Sequence, residues 1–421
     1  MKILLVHNKY RQPGGEDVVF ESESSLLERH GHHVIRFVRS NGDLGDNSFL
    51  ERIAIALRLV WSSSARRELS ALLDADRPDL VHVHNTFMAI SPSIYSACSE
   101  RGIPIVQTLH NFRLLCPSGN LFREGRVCEE CVDDSLLRSA RNACYRNSRS
   151  ATAVVALMLA SHRALNTWSK SVTRFIALTH FAKDKFVAAG FPSHKFAVKP
   201  NFAELDPSQR NTLGEYALFA GRLAEDKGVR VLLNAWKLLP ARYPLHILGD
   251  GPEYKALHEQ ARKSRLAGIT FRGRLHRTRV IEAIKRARFL VVPSTWYEVF
   301  PMCIVEAFAC GVPVVCSRLG SLAEIVEDRR TGLHFNPGDP EDLARQVRWA
   351  WDHPLELDAM GCAARAKYES DYTPEINYSM LMKIYEQALT SPVTTDSGRV
   401  APLLAEKAGR ANAMPETPQV W

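Results

Sequence analysis

Phe289-Leu290-Val291-Val292-Pro293-Ser294-Thr295-Trp296-Tyr297-Glu298-Val299-Phe300-Pro301-Met302-Cys303-Ile304-Val305-Glu306 reads as a strand, a turn and the opening of a helix. Phe289–Val292 is apolar and β-rich, and Pro293-Ser294 ends it. Pro301 suits the first position of a helix, where a backbone N–H would have no partner anyway. The N–H groups of Met302, Cys303 and Ile304 would then be donors at the positive end of that helix. Glu298 lies in the loop before this end. Glu306 lies inside the helix among apolar residues that should be buried, and a buried carboxylate needs a partner. A ribose diol is a suitable one, because a carboxylate accepts from both hydroxyls; a buried salt bridge is the alternative.

The same strand-then-helix grammar extends in both directions. Upstream, Ile3–Val6, His33–Val38, Leu80–Val83, Ile105–Leu109 and Phe175–Leu178 read as strands, with a helix over Glu16–Arg29. After Pro200 the pattern restarts with Tyr216–Ala220, Leu245–Leu248, Ile269–Arg272, Phe289–Val292 and Pro313–Cys316. Strands at helical separations imply parallel sheets with crossover helices. Two series imply two doubly wound domains, 1–200 and 201–373, meeting near Asn201–Leu213. A last helix spans Pro374 to about Leu389, with Ile376, Met380, Ile384 and Ala388 along one face and Leu381 and Tyr385 beside them. It is expected to return to the N-terminal domain over 374–390. Residues 391–421 are small, polar and Pro-rich, and are expected to form a disordered tail.

Open α/β sheets bind ligands beyond the carboxyl ends of their strands. Two more strand ends carry suggestive residues. Gly221-Arg222-Leu223-Ala224-Glu225-Asp226-Lys227-Gly228 sets two fixed positive charges five residues apart, which suits a diphosphate; a surface loop with ordinary charges is the other reading. Gly14-Gly15, after the first strand, can expose backbone N–H groups to an anion or a sugar. The spacing is not G-x-G-x-x-G, which argues against a nicotinamide enzyme. Asp74-Ala75-Asp76 spells an Asp-x-Asp metal-binding motif. It precedes a strand instead of following one, so it reads as a solvated helix end.

Composition bounds the rest. The 421 residues are 46% hydrophobic and 24% charged, as in an ordinary globular protein. The longest wholly apolar run, Ala153–Ala160, is far short of the ~20 residues needed to cross a bilayer. The N-terminal apolar run is shorter than the ~7–15 residues of a signal peptide. A cytoplasmic protein with reduced cysteines is expected, with attachment at the inner face of the cell membrane open. Net charge is +8, and residues 1–200 carry 26 basic against 19 acidic side chains. Ser135–Lys183 holds no acid but has Arg138, Arg141, Arg146, Arg149, Arg163, Lys170, Arg174 and Lys183. That is either a solvated face or a docking surface for anionic lipid, with Val154, Val155, Leu157, Met158 and Leu165 lining an apolar helix face. No nucleic-acid motif accompanies the charge.

Glu298-VFPMCIV-Glu306 resembles the E-x7-E motif of the retaining glycosyltransferases of family 4. Its setting matches too: Glu306-Ala307-Phe308-Ala309-Cys310-Gly311-Val312-Pro313, Thr331-Gly332, Gly249-Asp250-Gly251-Pro252 and Arg77-Pro78-Asp79-Leu80-Val81-His82-Val83-His84. The resemblance covers about residues 1–390. It implies an α/β chain of GT-B architecture: two Rossmann-like domains facing across a cleft, the C-terminal one holding a nucleotide-diphosphate sugar. By that resemblance Glu306 contacts the ribose, and Glu298 sits by the donor sugar. Arg222 and Lys227 neutralise the diphosphate, and His110 contacts the transferred sugar. Gly14 and Gly15 lie beside the phosphates or sugar. No cofactor is required. The expected reaction is hexosyl transfer to a saccharide or lipid-linked saccharide in cell-surface polysaccharide assembly. The alternatives are a sugar-nucleotide epimerase and an inactive GT-B binding subunit.

Cys116, Cys128, Cys131 and Cys144 cluster in an insertion at about 112–150. One C-x2-C pair with two outlying cysteines can build a four-thiolate structural zinc site; unmetallated structural or redox thiols are the other reading.

Overall fold

Two parallel six-stranded sheets organise the chain, as seen in a computed structural model that describes residues 1–11, 14–43, 49–133, 135–203 and 208–391. The first contains β1 (Lys2–Lys9), β2 (His33–Ser40), β3 (Leu80–Val83) and β4 (Ile105–Leu109). A short antiparallel hairpin, β5 (Phe122–Arg123) and β6 (Arg126–Val127), interrupts the series before β7 (Arg174–Ala177) and β8 (Phe196–Val198) complete the sheet. Its order is β2-β1-β3-β4-β7-β8. The second sheet is built from β9 (Tyr216–Ala220), β10 (Leu245–Leu248), β11 (Ile269–Gly273), β12 (Ala287–Val292), β13 (Val314–Ser317) and β14 (Gly332–Phe335), in the order β11-β10-β9-β12-β13-β14.

Both orders reverse at one point, between β1 and β3 in the first sheet and between β9 and β12 in the second. At such a switch point the crossover helices leave to opposite faces and a crevice opens beyond the strand ends. Gly14-Gly15 follows β1, Arg222 and Lys227 follow β9, and Glu298 follows β12. The sheet topology therefore sets three of the motif segments around crevices.

Two glycines hold the second crevice tight. Gly228 adopts φ +68°, and a Cβ there would fall 1.8 Å from the Pro293 carbonyl oxygen. Gly249 adopts φ +130°, and its Cβ would meet the Gly221 oxygen at 1.8 Å. Only glycine allows these backbone approaches, which clamp the loops after β9, β10 and β12 against one another.

Several expectations need correction. β8 and β14 were not read from the sequence: β8 has three residues at the sheet edge, and β14 is short with His334 inside it. Pro301 is the residue before the helix Met302–Ala309, not its first member. The C-terminal helix, Pro374–Thr390, buries Asn377, Leu381, Ile384, Tyr385 and Ala388; Ile376 is exposed. The stripe is rotated because Asn377 is drawn inward, accepting from Lys199 and donating to the Pro200 oxygen. This helix packs on the first sheet, sharing a core with Ile3, Leu5, Phe20, Leu80, Val106 and Ile176. The expected tail beyond Ser391 lies outside the described residues, as do parts of the segment joining the sheets.

The apolar face read from Val155 and Met158 is turned into the core; both are buried on the helix Arg149–Ala164. Leu157 and Leu165 remain exposed. Asp76 closes the helix Ser63–Asp76, and Asp74 takes a bidentate bond from Arg101 at 2.7 Å. Among the described residues no helix is long and apolar enough to cross a membrane.

Candidate active site

The loop after β9 and the loop after β12 converge on one ion pair. Lys227 Nζ donates to both oxygens of Glu298, at 2.7 and 3.0 Å. Ser294 Oγ donates to the same carboxylate at 2.6 Å, and the ammonium lies 4.9 Å from the centre of the Trp296 ring. The Glu298 side chain is 6% exposed and that of Lys227 22%. Two residues read separately from sequence, one as a phosphate ligand and one as a sugar neighbour, thus share one charge-neutral pocket.

Arg222 stands apart from this pair. Its side chain is 58% exposed and lies 3.5 Å from the Asp226 carboxylate. A long, half-hydrated guanidinium over a crevice can turn toward an incoming anion at small cost. Glu306 is largely buried on the helix after Pro301, and its carboxyl sits 3.4 Å from Arg277 Nε. Burial pushes the Glu306 pKa up, and the Arg277 charge opposes that shift. Cys303 lies between the glutamates: burial raises its thiol to about 12, and the charges of Glu298 and Glu306 add to the shift.

Not every expected donor is open. The N–H of Ile304 turns back to the Pro301 oxygen at 3.1 Å, so it is spent inside the helix. Met302 and Cys303 hold the first two helical positions, whose amides have no partner within a helix. The N–H of Gly14 is taken by Asp17 Oδ2 at 2.6 Å, so it is not free for an anion. Gly15 opens the helix Gly15–Arg29, and a Cβ there would meet nothing within 4 Å.

His110 follows β4 and enters a different network. Its Nε2 lies 3.0 Å from His84 Nδ1, and the two rings stack 5.2 Å apart. Burial, followed by the charges of His84 and His7, holds its pKa well below the ordinary histidine range. Next to it, Asn111 and Asn85 donate to the Glu16 carboxyl at 3.1 and 2.8 Å. Burial, and then the Asp17 charge, push Glu16 up to about 8.

Sequence reasoning missed the residues that bridge the two sheets. Tyr297, beside Glu298, donates to Glu129 at 2.7 Å, and Lys185 grips the same carboxylate at 2.7 Å through both oxygens. Burial raises Glu129, but these bonds outweigh it and hold its pKa low. Glu324 accepts from the His180 and Phe181 amides at 2.8 Å each, and Thr179 pairs with Ser321 at 2.8 Å. The hairpin of the cysteine insertion also reaches the loop after β9, since a Cβ on Gly125 would lie 3.5 Å from Glu225. Nothing local marks Glu129 or Tyr297; each is defined by a partner more than a hundred residues away.

The four cysteines lie near one another: burial, then the charges of Cys116 and Cys128, raise the Cys144 thiol to about 11. A tetrahedron with Zn–S bonds of about 2.3 Å needs sulfurs about 3.8 Å apart. Among the described residues the group of three or more possible ligands with all atoms within 4.8 Å is Glu23, His82 and His84, not the cysteines. All four thiols are free. Cys131 directs its S–H toward Cys116, which lowers the Cys116 thiol and raises that of Cys131.

Comparison with known proteins places this geometry. Residues 13–207 match the family described as Glycosyltransferase Family 4, and residues 202–367 match Glycosyl transferases group 1. A glycogen synthase of Mycobacterium tuberculosis is 29% identical over 303 residues, covering 70% of this chain and 66% of that protein. The O-antigen chain mannosyltransferase B of Escherichia coli is 37% identical over 178 residues, covering 40% of this chain and 46% of that one. The alignments thus span two thirds or less of these relatives. Among solved structures, Anabaena Alr3699/HepE in complex with UDP superposes with a TM-score of 0.64 at 19% identity, over 92% of this chain and all of that one. The same protein has been solved with UDP-glucose. On the two matched halves and the shared two-sheet GT-B fold, this chain belongs to the group 1 glycosyltransferases with a family 4 N-terminal half.

Proposed function

We propose that this protein is a retaining glycosyltransferase. It would move a hexosyl group from a nucleotide-diphosphate sugar to a saccharide or lipid-linked saccharide acceptor in cell-surface polysaccharide assembly. The observation that carries the reading is the Lys227–Glu298 pair at the second switch point, with Arg222 and Glu306 on the neighbouring segments.

In the proposed reaction the bond between the anomeric carbon and the diphosphate oxygen breaks. Positive charge grows on the sugar and negative charge on the leaving group. Arg222, Lys227 and the open amides of Met302 and Cys303 stabilise the diphosphate. Glu306 accepts from the ribose hydroxyls, displacing its loose contact with Arg277. Glu298 and His110 hold the sugar. The acceptor oxygen enters on the face the diphosphate leaves, and its proton passes to the departing phosphate. The room beside Gly15 lets a donor approach the N-terminal backbone closely. The UDP-glucose bound by HepE is a consistent donor and its UDP the matching leaving nucleotide, and the O-antigen relative supports the pathway.

The protein's own cations do the work a divalent ion does elsewhere, so activity is expected to survive EDTA. An anionic membrane surface is the proposed partner on the N-terminal side. Ile53 and Leu57 are exposed on the helix Phe49–Val60 and Trp61 just after it, and this helix abuts the Arg149–Ala164 helix through a His162–Val60 bond at 2.9 Å. A thermal-shift screen of nucleoside diphosphates, followed by turnover of the stabilising nucleotide's sugars and NMR of the product anomer, tests the proposal. No nucleotide response, or a product of inverted configuration, would refute it.

A further inference from the structure

A buried chain of ionisable groups runs behind His110. Glu23, on the helix Gly15–Arg29, is almost fully buried and is gripped by Lys199 Nζ at 2.9 Å. Lys199 is itself buried and also donates to Asn377 of the C-terminal helix at 2.9 Å. Oε1 of Glu23 lies 3.1 Å from His82 Nδ1 and 3.3 Å from His84 Nε2. His82 is also bonded to Tyr385 and Thr108, each at 2.8 Å. Further titratable neighbours are His7 and Asp17, joined at 2.8 Å.

These contacts fix where the protons lie. Burial would raise the Glu23 pKa, but Lys199 and His82 hold it well below the usual range, so it remains a carboxylate and only accepts. Burial, then His82, pulls His84 down to about 3, so its ring is neutral with one N–H. Nε2 and Glu23 Oε1 are not aligned as a hydrogen bond, but the carboxylate charge 3.3 Å away favours the hydrogen on Nε2 and leaves Nδ1 bare. His110 Nε2, 3.0 Å from this bare nitrogen, must then be the donor. His110 is neutral as well, so its Nδ1 carries no hydrogen. A cation is not the reading for the Glu23, His82 and His84 cluster: the Lys199 ammonium already neutralises Glu23, and both His82 nitrogens are engaged.

We propose that Glu23 is a positioning residue for His110, acting through His84: it fixes the tautomer that leaves His110 Nδ1 as an acceptor for a hydroxyl of the transferred sugar. The sugar contact rests on the function proposed above; the proton placement does not. Lys199 and the C-terminal helix keep the carboxylate charged and in place, so an element from the end of the chain sets the chemistry of a residue after β4.

The test is two-bond 1H–15N correlation NMR of the full chain with 15N-histidine, near neutral pH, on the wild type and on Glu23→Gln. The double variant Glu23→Gln/Lys199→Met serves as a second case, because it removes both charges and leaves no unpaired buried ammonium. The wild type should show His110 as the Nε2–H tautomer. In the variants a substantial Nδ1–H population should appear, while UDP affinity stays near wild type and turnover of UDP-glucose, or of whichever nucleotide sugar proves active, falls by about tenfold. An Nδ1–H His110 in the wild type, or an unchanged tautomer in the double variant, overturns the inference even if activity falls. Turnover absent from the wild type with every nucleotide sugar tested, alongside a tautomer that shifts as expected, refutes the proposed function and upholds the proton placement.

Discussion

Replacing Lys227 with Met should destabilise the ligand-free protein before it does anything to catalysis. The substitution keeps most of the side-chain volume but strands the Glu298 carboxylate, whose side chain is only 6% exposed. At an effective dielectric of about 20, charges about 3 Å apart attract by roughly 5–6 kcal/mol. Desolvation of both groups takes back most of this, and breaking such a pair from one side typically costs about 3–5 kcal/mol. Lys227 keeps 22% exposure and Ser294 still donates to Glu298, so the cost falls at or below the lower end of that range. The expectation is about 2–3 kcal/mol for Lys227→Met, or roughly 4–10 °C in Tm. Glu298→Gln should cost less, because a neutral amide strands no carboxylate and Lys227 can reach water. The double variant should cost less than the sum of the two, with a coupling of at least ~1 kcal/mol.

Urea denaturation of the four proteins closes this cycle. Adding UDP at about one hundred times its Kd should stabilise the wild type by about 2.7 kcal/mol. A phosphate that borrows Lys227 from Glu298 should also reduce the coupling. A coupling below ~0.5 kcal/mol without ligand, or one that UDP leaves unchanged, would show that Lys227 is not shared between the glutamate and the donor.

Four other outcomes are open to measurement. Glu16 holds its proton up to about pH 8 in the folded chain, whereas an unfolded glutamate loses it near ~4.3, so this group favours folding at low pH and opposes it increasingly as pH rises across that window. Glu16→Gln should therefore raise Tm over wild type at pH 9 and not at pH 4; an equal effect at both would refute the burial argument. Tyr297→Phe with Glu129→Gln removes a bond across the cleft, and the radius of gyration from X-ray scattering should rise; an unchanged value would mean that the other bridges suffice. Arg222→Ala should lower turnover about tenfold or more through lost diphosphate stabilisation, and full activity would remove it from the clamp. Sedimentation with anionic vesicles should fall with salt, with Arg138, Arg141, Arg146 and Arg149 reversed to Glu, and with Leu57→Asp; binding indifferent to all three would leave the N-terminal face a solvated surface.

What the sequence discloses follows from the range of the interactions. The strand at Phe289–Val292, the break at Pro293 and the helix after Pro301 are local events, governed by propensity and a missing N–H, and they can be read from a dozen residues. Most of the sheet series is of this kind, and so is the separation of Glu298 from Glu306. Pairing is not. Lys227 and Glu298 are 71 residues apart, and no periodicity connects them; their contact follows from β9 and β12 being neighbours at a switch point. Long range also rotated the C-terminal helix, since Asn377 answers to Lys199 and not to its apolar neighbours. Ile304 is a local exception: as the third helical residue its amide would be expected free, but it turns back in a tight bond to the Pro301 oxygen.

The histidines sharpen this point. His82 lies on β3 and His84 just beyond its end, two residues apart, so a sequence reading places them on one face. What it cannot supply is their shared partner, the Glu23 carboxylate, which comes from the helix Gly15–Arg29. His110 joins that arrangement through its contact with His84. Its chemistry is thus set by a helix before it, a lysine after it and a C-terminal helix that crosses back onto the first sheet. A motif can name the residue that meets a substrate, but the proton on that residue is decided by the buried charges behind it. Variants of Glu23 and Lys199, remote from the crevice, are therefore the ones that separate a fold that merely contains His110 from one that prepares it.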